Sequence, residues 1–254
     1  MIYAVRQGKT KIGRNEDSLT SSVFQLLGYL PDEMFRSILC SALRGNVDEA
    51  LLGRLEEIEF WPKWDAAGID SHNNFIEPDV FLRFEGADLI IEAKRYDEKG
   101  QYKQQWLNEF QAYLNEYPER EKPVILWALG GINDLANDAV EIEGQTCKVF
   151  KSTWTMLVNA VQSERQKQES ILQSSHLDRI FSDLIFAFQF HGFFVGEWFA
   201  DSRLKPLGWS SHSLNFFSEN KRRFDSDKWL YSLTQPVRYN LNHKALETWD
   251  IAIR

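Results

Sequence analysis

Val80-Phe81-Leu82-Arg83-Phe84 is an apolar run interrupted only by Arg83, and a second nearly unbroken apolar run, Leu89-Ile90-Ile91-Glu92-Ala93, follows four residues later. Two short strand-like runs joined by a Gly-containing turn, Glu85 to Asp88, predict an antiparallel hairpin. Helical spacing prevails elsewhere. Leu19, Val23, Leu26 and Leu30 fall near one helical face, and Trp106, Phe110, Tyr113 and Tyr117 form an apolar stripe on another. The pattern predicts helices at 17–30 and 32–44, a strand within 55–63, a loop rich in Gly, Asp and Asn at 65–75, and strands at 77–84 and 88–95. A helix at 101–117, strands at 123–129 and 145–150, and helices at 152–168 and 176–190 complete it. This is an α/β (mixed α+β) layer fold, a central mixed sheet with an antiparallel hairpin flanked by helices. Residues 1–170 are expected to form the core and 171–254 an extension packed on it, helical at first and then irregular or β from Gly192 onward.

The hairpin register sorts the side chains. If Phe84 faces Leu89, paired residue numbers add to 173, and Val80, Leu82, Phe84, Leu89, Ile91 and Ala93 share an apolar face fit for a core. Asp79, Glu92 and Lys94 share the other, with Asp79 opposite Lys94 at ~5 Å between Cβ atoms and diagonal to Glu92 at ~7–8 Å. Two carboxylates and an ammonium are thus expected at one end of one face.

Composition narrows the classes. Apolar residues are 43% and charged residues 26% of 254, which excludes collagen-like, wholly disordered and coiled-coil chains. No apolar run approaches the ~18 residues of a membrane span, and Met1 to Glu16 lacks a signal-type apolar segment. The two cysteines, Cys40 and Cys147, form neither a CxxC pair nor a zinc pattern. A cytoplasmic protein without membrane association is the expectation. Net charge is −8, yet residues 21–200 carry sixteen basic against twenty-nine acidic groups, or −13. A polyanion would therefore meet the ends of the chain more willingly than its middle. Lys221, Arg222 and Arg223, with Trp229 and Tyr231 after them, form a candidate nucleic-acid contact patch, or else a solvated charged loop.

Paired carboxylates suit a hard divalent cation, which keeps its other positions for water and phosphate oxygen. A lysine beside them can steer water or stabilise developing charge, so the cluster points to phosphodiester hydrolysis. Pro78-Asp79 and, thirteen positions after Asp79, Glu92-Ala93-Lys94 resemble the motif of the PD-(D/E)xK, or restriction-endonuclease-like, nuclease superfamily. That resemblance implies a core of helix, three antiparallel strands, helix and a further strand. It also implies Mg²⁺ (or Mn²⁺) held by Asp79, Glu92 and the backbone carbonyl of Ala93, with Lys94 as the catalytic lysine. Glu16 sits where many members carry a further acid on the first core helix, which the resemblance makes a further metal ligand, and of Gln101, Gln104 and Gln105, which begin the helix after the lysine, Gln105 is the residue chosen for the glutamine that many carry there. For Glu16 the competing account is an acid placed by the helix dipole, and for Gln105 an ordinary polar helix face. The competing account of the motif is a solvated strand edge with a cross-strand ion pair, since acid-x-Lys triplets are common and Asp97-Glu98-Lys99 is another.

The function expected from the resemblance is a metal-dependent nuclease acting on DNA in preference to RNA, in restriction, repair or anti-phage defence. The alternative is a catalytically weak or silent nuclease-fold scaffold or binding subunit of a larger complex. Partner expectations are nucleic acid and a protein partner subunit or a second copy of the chain. No P-loop, dinucleotide fingerprint, HExxH or Ser/His/Asp pattern is present, and His72-Asn73-Asn74 lacks the companions of an HNH site.

Overall fold

The computed structural model of the chain describes residues 13–70, 74–96, 100–119, 122–168 and 175–194. Three helices open it, α1 (Glu16–Leu27), α2 (Asp32–Ala42) and a single turn, α3 (Glu49–Leu52). Asn15 caps α1 by accepting from Ser18 N while Ser18 Oγ accepts from Asn15 N. Pro31 stands at the N-cap of α2, where its missing N–H costs nothing. Then follow β1 (Leu55–Phe60), β2 (Trp64–Asp65), β3 (Phe75–Ile76), β4 (Val80–Phe84), β5 (Asp88–Ala93), α4 (Lys103–Glu116), β6 (Val124–Leu129), β7 (Asp138–Ile142), β8 (Gln145–Ser152), α5 (Trp154–Gln168) and α6 (Ser175–His191). The six-stranded sheet runs β1-β4-β5-β6-β8-β7. It is mixed: β1, β4 and β5 are antiparallel, β5, β6 and β8 parallel, and β7 returns antiparallel on β8.

Both sheet faces are buried, which is why β5 and β6 read as continuous apolar runs. One face, with Val80, Leu82, Leu89, Ile91, Trp127 and Leu129, packs against α1, α2, α5 and α6. The other, with Phe81, Ile90, Leu126 and Val149, packs against α4 and Trp64. Leu177, Phe181, Leu184 and Phe188 of α6, the helix that opens the expected extension, belong to the first core. Its remainder, 195–254, lies outside the described residues, as do the predicted strands there and Lys221, Arg222 and Arg223.

Three details differ from the sequence reading. The hairpin pairs Val80 with Ile91 and Leu82 with Leu89, so partner numbers add to 171, not 173. Phe84 N donates to Ala87 O at 3.0 Å, leaving only Glu85 and Gly86 in the turn. Gly86 lies so close to α3 that a Cβ there would stand 2.0 Å from the Leu51 carbonyl oxygen. A shift of two leaves every residue on its expected face, and it changes who stands opposite whom. The loop at 65–75 is bracketed by β2 and β3, a short antiparallel ribbon. The strand β7 was not anticipated. Its turn, Glu143-Gly144, has φ of 51° and 79°, the twist of a two-residue hairpin.

Candidate active site

Asp79 precedes β4 at the edge where β5 ends, its carbonyl accepting from Trp61 N at 3.2 Å. Continuing the observed register sets it across from Glu92 rather than from Lys94. Ala93 N donates to Asp79 Oδ2 at 2.8 Å, which ties the carboxylate to the last residue of β5. Glu92, 2% exposed, accepts from the Lys94 ammonium. The same Nζ lies 3.6 Å from Glu16 Oε1, and Glu16 Oε2 accepts from Arg95 N at 2.7 Å. Glu16, Asp79, Glu92 and Lys94 are therefore brought together at the carboxyl end of β5, the end at which open α/β sheets place their ligands.

The backbone of Lys94 is held from two sides. Its N–H donates to Leu129 O at 2.8 Å, and its carbonyl accepts from Trp154 Nε1 at 2.8 Å. Gly130 makes this approach possible: φ is 70°, and a Cβ would lie 2.2 Å from Lys94 O. Gly131 then clips the following loop, its N–H donating to Tyr96 O at 2.5 Å and its carbonyl accepting from Gln101 N at 3.0 Å.

The structure brings Gln101, and not the expected Gln105, to the strand that carries Glu92. Gln101 Nε2 donates to the Glu92 carbonyl at 2.8 Å, and Gln101 Oε1 accepts from Trp106 Nε1 at 2.8 Å. Gln105 is half-buried in the first turn of α4 and makes no side-chain hydrogen bond to the cluster among the described residues. The bond to Gly131 holds residue 101 outside the helix, which starts at Lys103. Gln101 therefore reaches the strand and Gln105 does not.

Sequence reading missed Glu109. It is 1% exposed on α4, where its carboxyl hydrogen-bonds that of Glu92. Its Oε2 is buried without a hydrogen-bond partner among the described residues. The signal was present: Glu109 lies three residues after Trp106 and four before Tyr113, an acid on an apolar stripe. Burial, then the charge of Glu92, holds its pKa well above the ordinary carboxylate range.

Four carboxyl groups thus share one ammonium. Burial, then Glu92, pushes Asp79 up to about 7 against the opposing Ala93 N–H and Lys94. Burial would draw Lys94 down, but Glu92, Glu16 and Asp79 together hold it above its usual value. Two like charges ~5 Å apart repel by about 3 kcal/mol at an effective dielectric of ~20, which is large beside the stability of a domain. A cation between Asp79 and Glu92 would remove that penalty. Among the described residues no group of three or more His, Cys, Asp or Glu is arranged to hold a metal ion. Two carboxylates are a donor set of the kind that a hard cation such as Mg²⁺ accepts when carbonyl, water and phosphate oxygen fill its remaining positions. Cys40 and Cys147 are free and buried, and burial pushes both thiols up to about 12, so neither is a nucleophile in waiting.

A stability prediction follows from Glu109. Because its folded pKa is raised, the native state holds a proton that the unfolded chain releases above about pH 4.5, so stability falls as pH rises from there. Glu109→Gln needs no such proton and can still donate to Glu92. Its unfolding temperature should exceed that of the wild type at pH 8 and converge with it near pH 4. A parallel pair of Tm–pH curves would show that Glu109 is not held protonated.

No family model matches the sequence. The chain is similar to Uncharacterized protein PM0110 of Pasteurella multocida (strain Pm70), 32% identical over an alignment covering 76% of this chain and 80% of that protein. No described helix is long and apolar enough to cross a membrane. With an identity of this size over most of both chains, the protein belongs to the same family as PM0110.

Proposed function

We propose that the chain is a metal-dependent nuclease that hydrolyses phosphodiester bonds of nucleic acid, DNA in preference to RNA. The observation that carries this reading is the convergence of Asp79, Glu92 and Lys94 at the end of β5 with negative charge in excess. The order α1, β1, β4, β5, α4, β6 supports it as well, being the order that the PD-(D/E)xK resemblance implies. Asp79 and Glu92 would hold Mg²⁺ or Mn²⁺, with the Ala93 carbonyl as a third oxygen donor. The ion would supply Lewis-acid polarisation and a water of lowered pKa. Lys94, kept protonated by its carboxylates, donates hydrogen bonds to the attacking water or the phosphoryl oxygens and does not act as a base. Glu16 positions Lys94 through its Nζ and locks the next residue through Arg95 N. Gln101 braces the strand at Glu92. Two buried free cysteines fit the reducing cytoplasm, and restriction, repair or anti-phage defence are the settings proposed.

The acidic stretch from 21 to 200 favours a second reading, in which the chain is a silent or weak nuclease-fold subunit that relies on a partner to hold its substrate. Calorimetric titration with Mn²⁺ beside a plasmid-nicking assay separates the two. The nuclease reading requires both saturable Mn²⁺ binding and Mn²⁺-dependent nicking. Binding without nicking supports the subunit reading, and absence of both removes the metal site.

A further inference from the structure

A second cluster, of opposite sign, adjoins the carboxylates. Arg14 lies immediately before the N-cap of α1, and Arg95 follows Lys94 with its N–H on Glu16, so both guanidinium-bearing residues flank the start of α1. The Arg14 guanidinium sits 4.9 Å from the centre of the Phe190 ring. The neighbouring His191 closes α6, its ring edge-on to Phe190 at 5.1 Å. His191 is 6% exposed, and its Nδ1 is buried without a hydrogen-bond partner among the described residues. Among the described residues neither Arg14 nor Arg95 forms an ion pair. Glu16 is engaged instead by Arg95 N and by Lys94, and Asp17 is the other acid of that turn.

Such a grouping is unfavourable as it stands. Burial, then the charges of Arg95 and Arg14, pushes the imidazole of His191 down to about 4. Two guanidiniums that make no side-chain hydrogen bond or ion pair among the described residues, that of Arg95 lying over the Tyr96 ring at 5.6 Å, and a ring nitrogen unsatisfied among them suit an oxyanion with several acceptor oxygens, and the positive end of α1 adds to the attraction. A phosphate meets those demands where a carboxylate, already abundant next door, does not occupy the place.

We propose that Arg14, Arg95 and His191 form a phosphate-binding subsite beside the carboxylate cluster, taking a backbone phosphate that adjoins the scissile one. The assignment rests on the phosphodiester reading of the neighbouring site, and it explains how an acidic chain grips a polyanion: local cations set one residue from Lys94 substitute for bulk positive charge.

The test measures binding of a fluorescent single-stranded 12-mer to the full chain in EDTA, against NaCl concentration, with orthophosphate titrated separately. Arg14→Ala/Arg95→Ala should weaken oligonucleotide binding about tenfold at low salt and lower the salt slope by about 0.7 for each phosphate that the variant no longer neutralises. His191→Phe keeps a ring against Phe190 and should weaken binding in the same direction. Lys63→Ala/Lys167→Ala removes the same charge elsewhere and should leave affinity within twofold. Equal weakening in the two double variants would reduce the effect to bulk charge and overturn the subsite. If Arg14→Ala/Arg95→Ala abolishes orthophosphate binding yet leaves the oligonucleotide unaffected, the ligand is a free phosphate and the backbone assignment fails. Because no metal is present, a wild-type chain that binds through Arg14 and Arg95 but never cleaves with Mn²⁺ would sink the activity and keep the subsite.

Discussion

Asp79→Asn should abolish Mn²⁺-dependent cleavage and the stabilisation that Mn²⁺ confers, while leaving the fold at least as stable as before. A ligand that binds only the native state at a hundred times its Kd adds about 2.7 kcal/mol, enough to raise Tm by several degrees in a domain of this size. The wild type should show that rise on addition of Mn²⁺ and the variant should not. Without metal the signs reverse. Asp79 is held up to about 7 by burial and by Glu92, so the native state binds a proton that the unfolded chain has released, and wild-type stability declines as pH rises from about 4 to about 7. Asn carries no charge and still offers an oxygen to Ala93 N, so the metal-free variant should melt above the wild type at pH 8. An Asn variant that keeps the full Mn²⁺-induced rise in Tm would show that the cation does not sit on Asp79.

The candidate site was legible in the sequence because it depends on parity more than on register. Val80, Leu82, Leu89 and Ile91 had to face the core, which put Asp79, Glu92 and Lys94 on the opposite face whichever even shift the hairpin adopted. The pairing itself was not legible. It follows from Gly86 approaching the Leu51 carbonyl and from Phe84 bonding Ala87, and the first of these is a tertiary contact with a helical turn 35 residues upstream. The same limit explains the glutamine. Nothing local distinguishes Gln101 from Gln105, and the choice is made by Gly131, which holds residue 101 outside α4. Glu109, in contrast, was readable as an acid on an apolar stripe, and what concealed it was treating that stripe only as packing. The proposed grouping of Arg14, Arg95 and His191 was not legible in the sequence, since they lie before α1, after β5 and at the end of α6, three distant segments.

Lys94→Ala should lower the cleavage rate by ~10² or more while metal affinity holds or improves. The improvement has a physical reason. The ammonium of Lys94 is ion-paired with Glu92 and lies 3.6 Å from Glu16, so removing it leaves the carboxylates more strongly in need of a cation. A role in binding alone would show the reverse, with KM or substrate Kd rising and kcat unchanged. The raised pKa of Lys94 sharpens the assignment further. A lysine acting as a base would lose activity below its pKa, whereas one held protonated by three carboxylates serves as a donor throughout the neutral range. Lys94→Arg keeps a permanent positive charge that can never act as a base, so it should recover part of the rate that Lys94→Ala forfeits. The recovery stays partial because the planar fork cannot reproduce a point charge set against Glu92. Full loss in Lys94→Arg, with metal binding and Tm intact in both variants, would mean that the neutral amine is the working form, and the donor role would have to be abandoned.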